Sequence, residues 1–321
     1  MTTATRRAAP PFDDELTPIL DELTKAIPST LTPAHLEALR GPGFTPLLPE
    51  LLEGRAIRHE ERTLDGPGGP LVVSIFRPTE PTTDAPGFFF THVGGMIFGD
   101  RFVGVAPVVD YVVQFGATVV TVEYRLAPEH PAPAALDDSY AALVWTAEHA
   151  DELGFSPDRL FTIGGSAGGG VAAGITLMAR DRGLPALAGQ ILMYPMLDEN
   201  NDSVSAQQID GIGVWDRTSN ETGWNFLLGS RRHTDQVSAY ASPSKADTLA
   251  GLPPTYVEVG SAEVFRDEDV AYASGIWAAG GIAELHVWPG GFHLFELIAP
   301  TSRLALAAKH TRDAWVERMI G

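Results

Sequence analysis

The chain has 321 residues, enough for a sizeable core in one or two domains, and its 44% apolar and 20% charged content is that of a folded globular protein, not a disordered one. Its 22 Lys and Arg stand against 41 Asp and Glu, and a net charge of −19 repels a phosphate backbone, which excludes nucleic acid as a partner. No cysteine is present, so disulfides, thiolate metal sites and cysteine nucleophiles are excluded and covalent chemistry is left to oxygen and nitrogen.

Arg6 and Arg7 run into Pro10-Pro11-Phe12-Asp13-Asp14 with no apolar stretch behind them, so no signal peptide is expected. Later apolar runs are broken well before the ~18 residues of a spanning helix. The expectation is a cytoplasmic protein. Phe12, Leu16, Ile19, Leu20, Leu23 and Ile27 recur at helical spacing and predict an amphipathic helix from Phe12 to Ile27. Thr32-Pro33 predicts the start of a second helix and Gly41 its stop.

Beyond residue 70 short β-branched or aromatic runs predict strands over 71–76, 87–91, 117–122, 160–163, 190–193, 255–259 and 284–288. Long segments with one apolar side predict helices over 134–153, 168–182, 265–279 and 302–320. This alternation is that of an α/β fold with a mostly parallel sheet covered by helices. Between Asp198 and Gly251 the rhythm lapses into a polar and aromatic stretch containing Trp215 and Trp224, read as an insertion over the carboxyl edge of the sheet. The domain plan is therefore N-terminal helices over 1–50 that contribute to a cap, a catalytic core over 51–198 and 246–321, and a cap insertion over 199–245.

Gly164-Gly165-Ser166-Ala167-Gly168 follows a predicted strand and opens a predicted helix, which is the setting a G-x-S-x-G nucleophile elbow requires. The alternative is a glycine-rich helix start with an incidental serine. His92-Val93-Gly94-Gly95-Met96 follows another strand and offers backbone N–H groups that could share a cavity with that of Ala167, as an oxyanion hole does. A plain turn needing one glycine is the competing explanation. Gly168 to Ala173 also fits a loose dinucleotide fingerprint, but it lies inside the helix after the serine and lacks a first-strand setting, so no cofactor is inferred. No metal-ligand spacing such as H-E-x-x-H occurs, and no metal is expected.

The run from Tyr124 to Asp138, YRLAPEHPAPAALDD, closely resembles the signature of the hormone-sensitive-lipase-like esterases of the α/β-hydrolase fold. The resemblance continues through Ser166-Ala167-Gly168-Gly169, Tyr194-Pro195, Leu252-Pro253-Pro254-Thr255 and Arg266-Asp267-Glu268 to His293, about residues 70 to 310. It implies a bacterial family IV serine carboxylesterase with a helical cap and no metal, acting through an acyl-enzyme, and the aromatic and aliphatic cap residues would form an apolar pocket suited to short- to medium-chain esters. Its partners would be a small-molecule ester and a second copy of the chain, since family members often dimerise through the last strand and neighbouring helices. It also implies Gly94, Gly95 and Ala167 as oxyanion donors, and it aligns Glu263 with the usual family aspartate, with Asp267 as the competing acid. His293 follows the last strand and completes the chain order Ser, Glu, His.

Two departures stand out: Val93 occupies the first glycine position of the family's His-Gly-Gly-Gly, and Gly165 stands where Asp commonly precedes the serine. Val93 must take a negative φ or be strained, and its isopropyl group should narrow the space over the oxyanion loop. Relatives with the full glycine run often accept esters of tertiary alcohols. Val93, Met96, Trp215, Trp224 and Leu294 are expected around the substrate. Other readings of the same residues are hydrolysis of an amide, lactone or carbamate in specialised metabolism, or a small-molecule-binding relative without catalysis.

Overall fold

The computed structural model describes residues 7–41, 45–80 and 82–321, so Arg6 of the leader reading lies outside the described residues. Strands β1 (Ile57–Gly66), β2 (Gly69–Pro78), β3 (Gly87–Thr91), β4 (Thr118–Val122), β5 (Leu160–Gly165), β6 (Gly189–Met193), β7 (Thr255–Gly260) and β8 (Ala283–Trp288) form one sheet in the order β1-β2-β4-β3-β5-β6-β7-β8. β1 and β2 make an antiparallel hairpin with Ile57 opposite Pro78, β2 runs antiparallel to β4, and every later pairing is parallel.

The helices are α1 (Thr17–Ala26), α2 (Leu36–Leu39), α3 (Leu48–Leu52), α4 (Ala106–Gln114), α5 (Ala134–Glu148), α6 (Ala150–Leu153), α7 (Ser166–Arg182), α8 (Val204–Gln208), α9 (Arg217–Leu228), α10 (Arg266–Ala278), α11 (Phe295–Ile298) and α12 (Arg303–Ile320). Successive side chains of a strand point to opposite faces, and β3 shows the result. Phe88 and Phe90 pack with Val108 and Val112 of α4 and Trp315 and Val316 of α12, whereas Phe89 joins Leu143 of α5 and Val171 and Ile175 of α7. Each such buried phenylalanine stabilises the fold by roughly 1.5–3 kcal/mol.

Several boundaries differ from expectation. The first helix begins at Thr17, because residues 12–16 serve as an anchor: the Asp13 N–H donates to the Gly290 carbonyl at 3.0 Å, pinning this segment beside the loop that carries His293. The helix expected over 134–153 is interrupted at His149, and Gly154 closes its last turn in a left-handed conformation. α7 begins at Ser166, two residues early. β1 and α4 carried no prediction, and α4 is the crossover that a parallel β3–β4 pair requires.

α8 and α9 lie in the stretch where the rhythm lapses, and hydrogen bonds tie α9 to the N-terminal segment. The Leu31 N–H donates to Ser219 Oγ at 2.7 Å, Thr30 Oγ1 to Asp216 Oδ2 at 2.5 Å and Thr222 Oγ1 to the Leu31 carbonyl at 3.2 Å. Asp216 also caps α9 by accepting from the Ser219 N–H at 2.7 Å. Among the described residues no helix is long and apolar enough to cross a membrane.

Candidate active site

β5 ends at Gly165 and α7 begins at once with Ser166, whose φ of 55° is rare for a side-chain-bearing residue. Close approach permits nothing larger around it: a Cβ on Gly168 would stand 2.1 Å from the Thr91 carbonyl oxygen. The Met196 N–H holds the Ser166 carbonyl at 2.9 Å. Strain in the turn thus lifts Ser166 Oγ off the sheet edge at the positive end of α7.

His293 reaches that oxygen, and Glu263 reaches the far side of the imidazole. Ser166 Oγ lies 2.9 Å from His293 Nε2, and His293 Nδ1 lies 2.5 Å from Glu263 Oε1. All three residues are buried. The imidazole is enclosed by Tyr194 and Phe265, both edge-on with ring centroids at 5.2 and 5.3 Å, and by the Trp215 indole at 6.5 Å. Burial raises the Glu263 carboxyl above its ordinary value, against the opposing pull of the His293 charge and hydrogen bond. Asp267, the competing acid, is engaged elsewhere. Its Oδ2 accepts from the Ser205 N–H at 2.7 Å, at the start of α8, and its Oδ1 pairs with Arg266 Nε at 2.8 Å.

The loop after β3 faces the same space. Gly94 takes a φ of 128°, and a Cβ there would fall 2.0 Å from the Phe98 carbonyl oxygen, so only glycine fits. Trp215 packs onto Gly95, where a Cβ would meet its ring at 2.6 Å. The N–H groups of Gly94 and Gly95 donate to no other group among the described residues. Ala167 is the second residue of α7, where a helix offers no internal acceptor for an N–H. His92 braces the loop from below: its Nδ1 lies 2.8 Å from the Val93 carbonyl, its ring stacks on Tyr124, and burial pulls its pKa down to about 4, which keeps it neutral.

These groups open into a cavity of about 320 Å³ whose lining, among the described residues, has no Lys, Arg, Asp or Glu. Of the residues singled out in the sequence, Val93, Gly94, Gly95, Ser166, Trp215, His293 and Leu294 line it. Met96 and Trp224 do not. Met96 turns away at a φ of 59° with its methyl end beside Gly170, and Trp224 is fully enclosed in the core. Sequence reasoning missed Leu23 of the first helix and Ile27 just after it, together with Leu31, Leu39 and Leu297. The apolar stripe of α1 was the available signal for the first two. Val93 takes a negative φ, and its methyls lie against the positions a side chain on Gly104 or Gly165 would occupy, 3.4 and 3.2 Å from each Cβ.

Behind His293, Glu296 accepts a hydrogen bond from the Tyr194 hydroxyl, near a buried Arg312–Glu258 pair. Burial is the main cause that pushes the Glu296 carboxyl up to about 7. A carboxyl raised on folding binds its proton more tightly in the native state, so the stability it lends is complete below its unfolded pKa and is lost as pH rises through about 7. Between about pH 5 and pH 8 the native chain should therefore lose up to about 3 kcal/mol more than Glu296→Gln, read by urea unfolding at both pH values. Equal losses in the two proteins would show that Glu296 is ionised throughout.

A family model described as the alpha/beta hydrolase fold matches residues 88–297. The chain is 34% identical over 281 residues to esterase LipI of Mycobacterium tuberculosis, covering 84% of each. Over 311 residues it is 34% identical to carboxylesterase NlhH of the same species, covering 90% of this chain and 92% of the relative. Among solved structures, a bacterial heroin esterase superposes with a TM-score of 0.86 at 31% identity, over 97% of this chain and 98% of that one. A thermostable esterase from Pseudomonas putida superposes with a TM-score of 0.83 at 29% identity, over 98% of this chain and 99% of that one. Strand order, elbow and these likenesses agree, and the chain belongs to the α/β-hydrolase fold family, among its hormone-sensitive-lipase-like carboxylesterases.

Proposed function

We propose that this carboxylesterase hydrolyses neutral short- to medium-chain esters through an acyl-enzyme on Ser166. The observation that carries the reading is the hydrogen-bonded line from Ser166 through His293 to Glu263, opening into an uncharged cavity. In this reading His293 Nε2 takes the Ser166 proton as Oγ bonds to the ester carbon, and the carbonyl oxygen becomes an oxyanion facing the Gly94, Gly95 and Ala167 N–H groups. The tetrahedral adduct collapses, and the alcohol leaves with the proton from His293. Water then attacks the acyl-enzyme by the same route and releases the acid. Glu263 orients the imidazole and offsets its charge.

A cavity of about 320 Å³ sits at the small end of ligand pockets, which suits compact acyl and alcohol groups. We assign the N-terminal helices and the 199–245 insertion to a cap, supported by the bonds between Leu31 and α9 and by the cavity walls both supply. We also assign it action in the cytoplasm and pairing with a second copy across β8, whose outer edge pairs with no strand among the described residues and bears exposed Val287. The test is a burst of p-nitrophenol from p-nitrophenyl butyrate together with labelling by a fluorophosphonate probe. An active enzyme gives both, and absence of both would sink the assignment.

Val93 sets the alcohol preference in this reading. Its isopropyl group lines the cavity beside the oxyanion loop, so ethyl esters should react well and tert-butyl esters of the same acid poorly. Val93→Gly should narrow the ratio of the two kcat/KM values by roughly tenfold, the scale that one or two carbons command in an apolar pocket. An unchanged ratio in a folded variant would place the methyls outside the alcohol's path.

A further inference from the structure

Arg40 follows α2 directly, in the N-terminal segment whose Leu31 and Leu39 wall the cavity. Its side chain reaches the catalytic loops. Nε–H donates to the Ile97 carbonyl at 2.8 Å and Nη2 to the Ala127 carbonyl at 2.7 Å, while Nη1 and Nη2 also meet Glu129 Oε1 and Oε2 at 2.7 and 2.9 Å. The guanidinium holds the Glu129 carboxyl down at about 2. An ion pair alone does not explain why two of the fork's donors are spent on backbone carbonyls, one of them inside the turn that begins at Gly94.

The bonds run in series because each peptide unit is planar, with its C=O and N–H pointing in opposite directions. Arg40 holds the carbonyl of Ile97, and the N–H of that same peptide, on Phe98, donates to the Gly94 carbonyl at 3.0 Å. The N–H of the Gly94–Gly95 peptide then points the other way, as the Gly95 donor. The Ile97 N–H makes a second bond to the Gly94 carbonyl at 3.0 Å, and its own peptide is held at the Met96 carbonyl by the Ala127 N–H at 2.9 Å. Ala127 is in turn the second carbonyl that Arg40 grips. A cation at one end of such a chain polarises every bond toward the other end.

We propose that Arg40 is a positioning residue for ester hydrolysis, aiming and polarising the Gly95 N–H through the Ile97–Phe98 and Gly94–Gly95 peptides. The inference rests on the reading of Gly94 and Gly95 as oxyanion donors. It makes the N-terminal segment part of the catalytic machinery as well as a wall, since seating that segment completes the oxyanion hole.

Three variants of the full chain decide it, after the burst on the unmodified enzyme has tested the esterase reading by itself. Arg40→Ala should lower kcat by about 10- to 100-fold, up to the loss seen when a direct oxyanion donor is removed, with a much smaller change in KM. Glu129→Gln leaves both carbonyl bonds in place and should keep kcat within about twofold. Arg40→Lys retains a cation for Glu129 but not the planar fork, and should fall between the two. Inhibition by an alkyl trifluoromethyl ketone, whose adduct on the serine carries an oxyanion, should weaken in parallel with kcat/KM, while inhibition by the alcohol product stays constant. A raised KM with unchanged kcat would overturn the proposal and leave Arg40 a support of the wall. So would Glu129→Gln matching Arg40→Ala, or an unaffected ketone inhibition. Should Arg40→Ala not fold, Arg40→Lys against Glu129→Gln makes the same comparison.

Discussion

Ser166→Ala should lower kcat by about a million-fold while the unfolding midpoint stays within a few degrees of the unmodified protein. The size follows from chemistry: without Oγ no acyl-enzyme forms, and His293 is left beside an ester with no positioned nucleophile. The small structural effect follows from packing. Alanine fills the same backbone position, the Met196 N–H still finds the carbonyl of residue 166, and one hydroxyl is lost from a cavity edge. Residual activity should come only from water held near the hole, so the variant should give neither burst nor fluorophosphonate adduct. Turnover near the original rate in a folded variant would remove Ser166 from the mechanism.

Glu263→Gln should cost about 10⁴ in kcat, and Asp267→Asn no more than a few-fold. Only Glu263 bonds to His293 Nδ1, and a neutral amide there can present its NH₂ to the ring and impose the tautomer that cannot accept the serine proton. Asp267 spends its carboxylate on the Ser205 N–H and on Arg266, so Asp267→Asn should show instead as a lower unfolding midpoint and a looser α8. Because burial raises the Glu263 carboxyl, activity should also fall on acidification before an ordinary exposed glutamate would protonate. Measuring kcat, unfolding and the acid limb on the three proteins separates the two carboxylates. A larger kcat loss for Asp267→Asn would reverse the assignment.

The legible parts of this chain are those where one physical demand dominates. β3 and β5 are buried on both faces, so their sequences are mostly apolar with small residues at the elbow, and their extents were readable to within two residues. β1 was not legible. It is an edge strand whose burial alternates and whose Arg58, His59, Glu60, Glu61 and Arg62 read as a solvated loop until its partner β2 is in place. α4 was hidden for the opposite reason: Val108, Val109, Val112 and Val113 carry a strand's composition, and only the need for a crossover makes them helical.

The same contrast holds at the site. Ser166, Glu263 and His293 are marked by short-range motifs and chain order, whereas Met96 and Trp224 do not line the cavity, because residue type does not reveal which way a side chain turns. Arg40 sits 57 residues before the carbonyl it grips, and nothing local to it signals that bond.

Val93 and Gly165 look like two independent mismatches when the chain is compared with the family pattern one position at a time. They share one space. A Cβ on residue 165 would begin 3.2 Å from a Val93 methyl and 3.2 Å from the Tyr194 ring, so an aspartate there would press on both and each would have to give by a few tenths of an ångström. A larger side chain at 165 and a valine at 93 therefore compete for the same space, and the effect of changing one depends on the residue at the other.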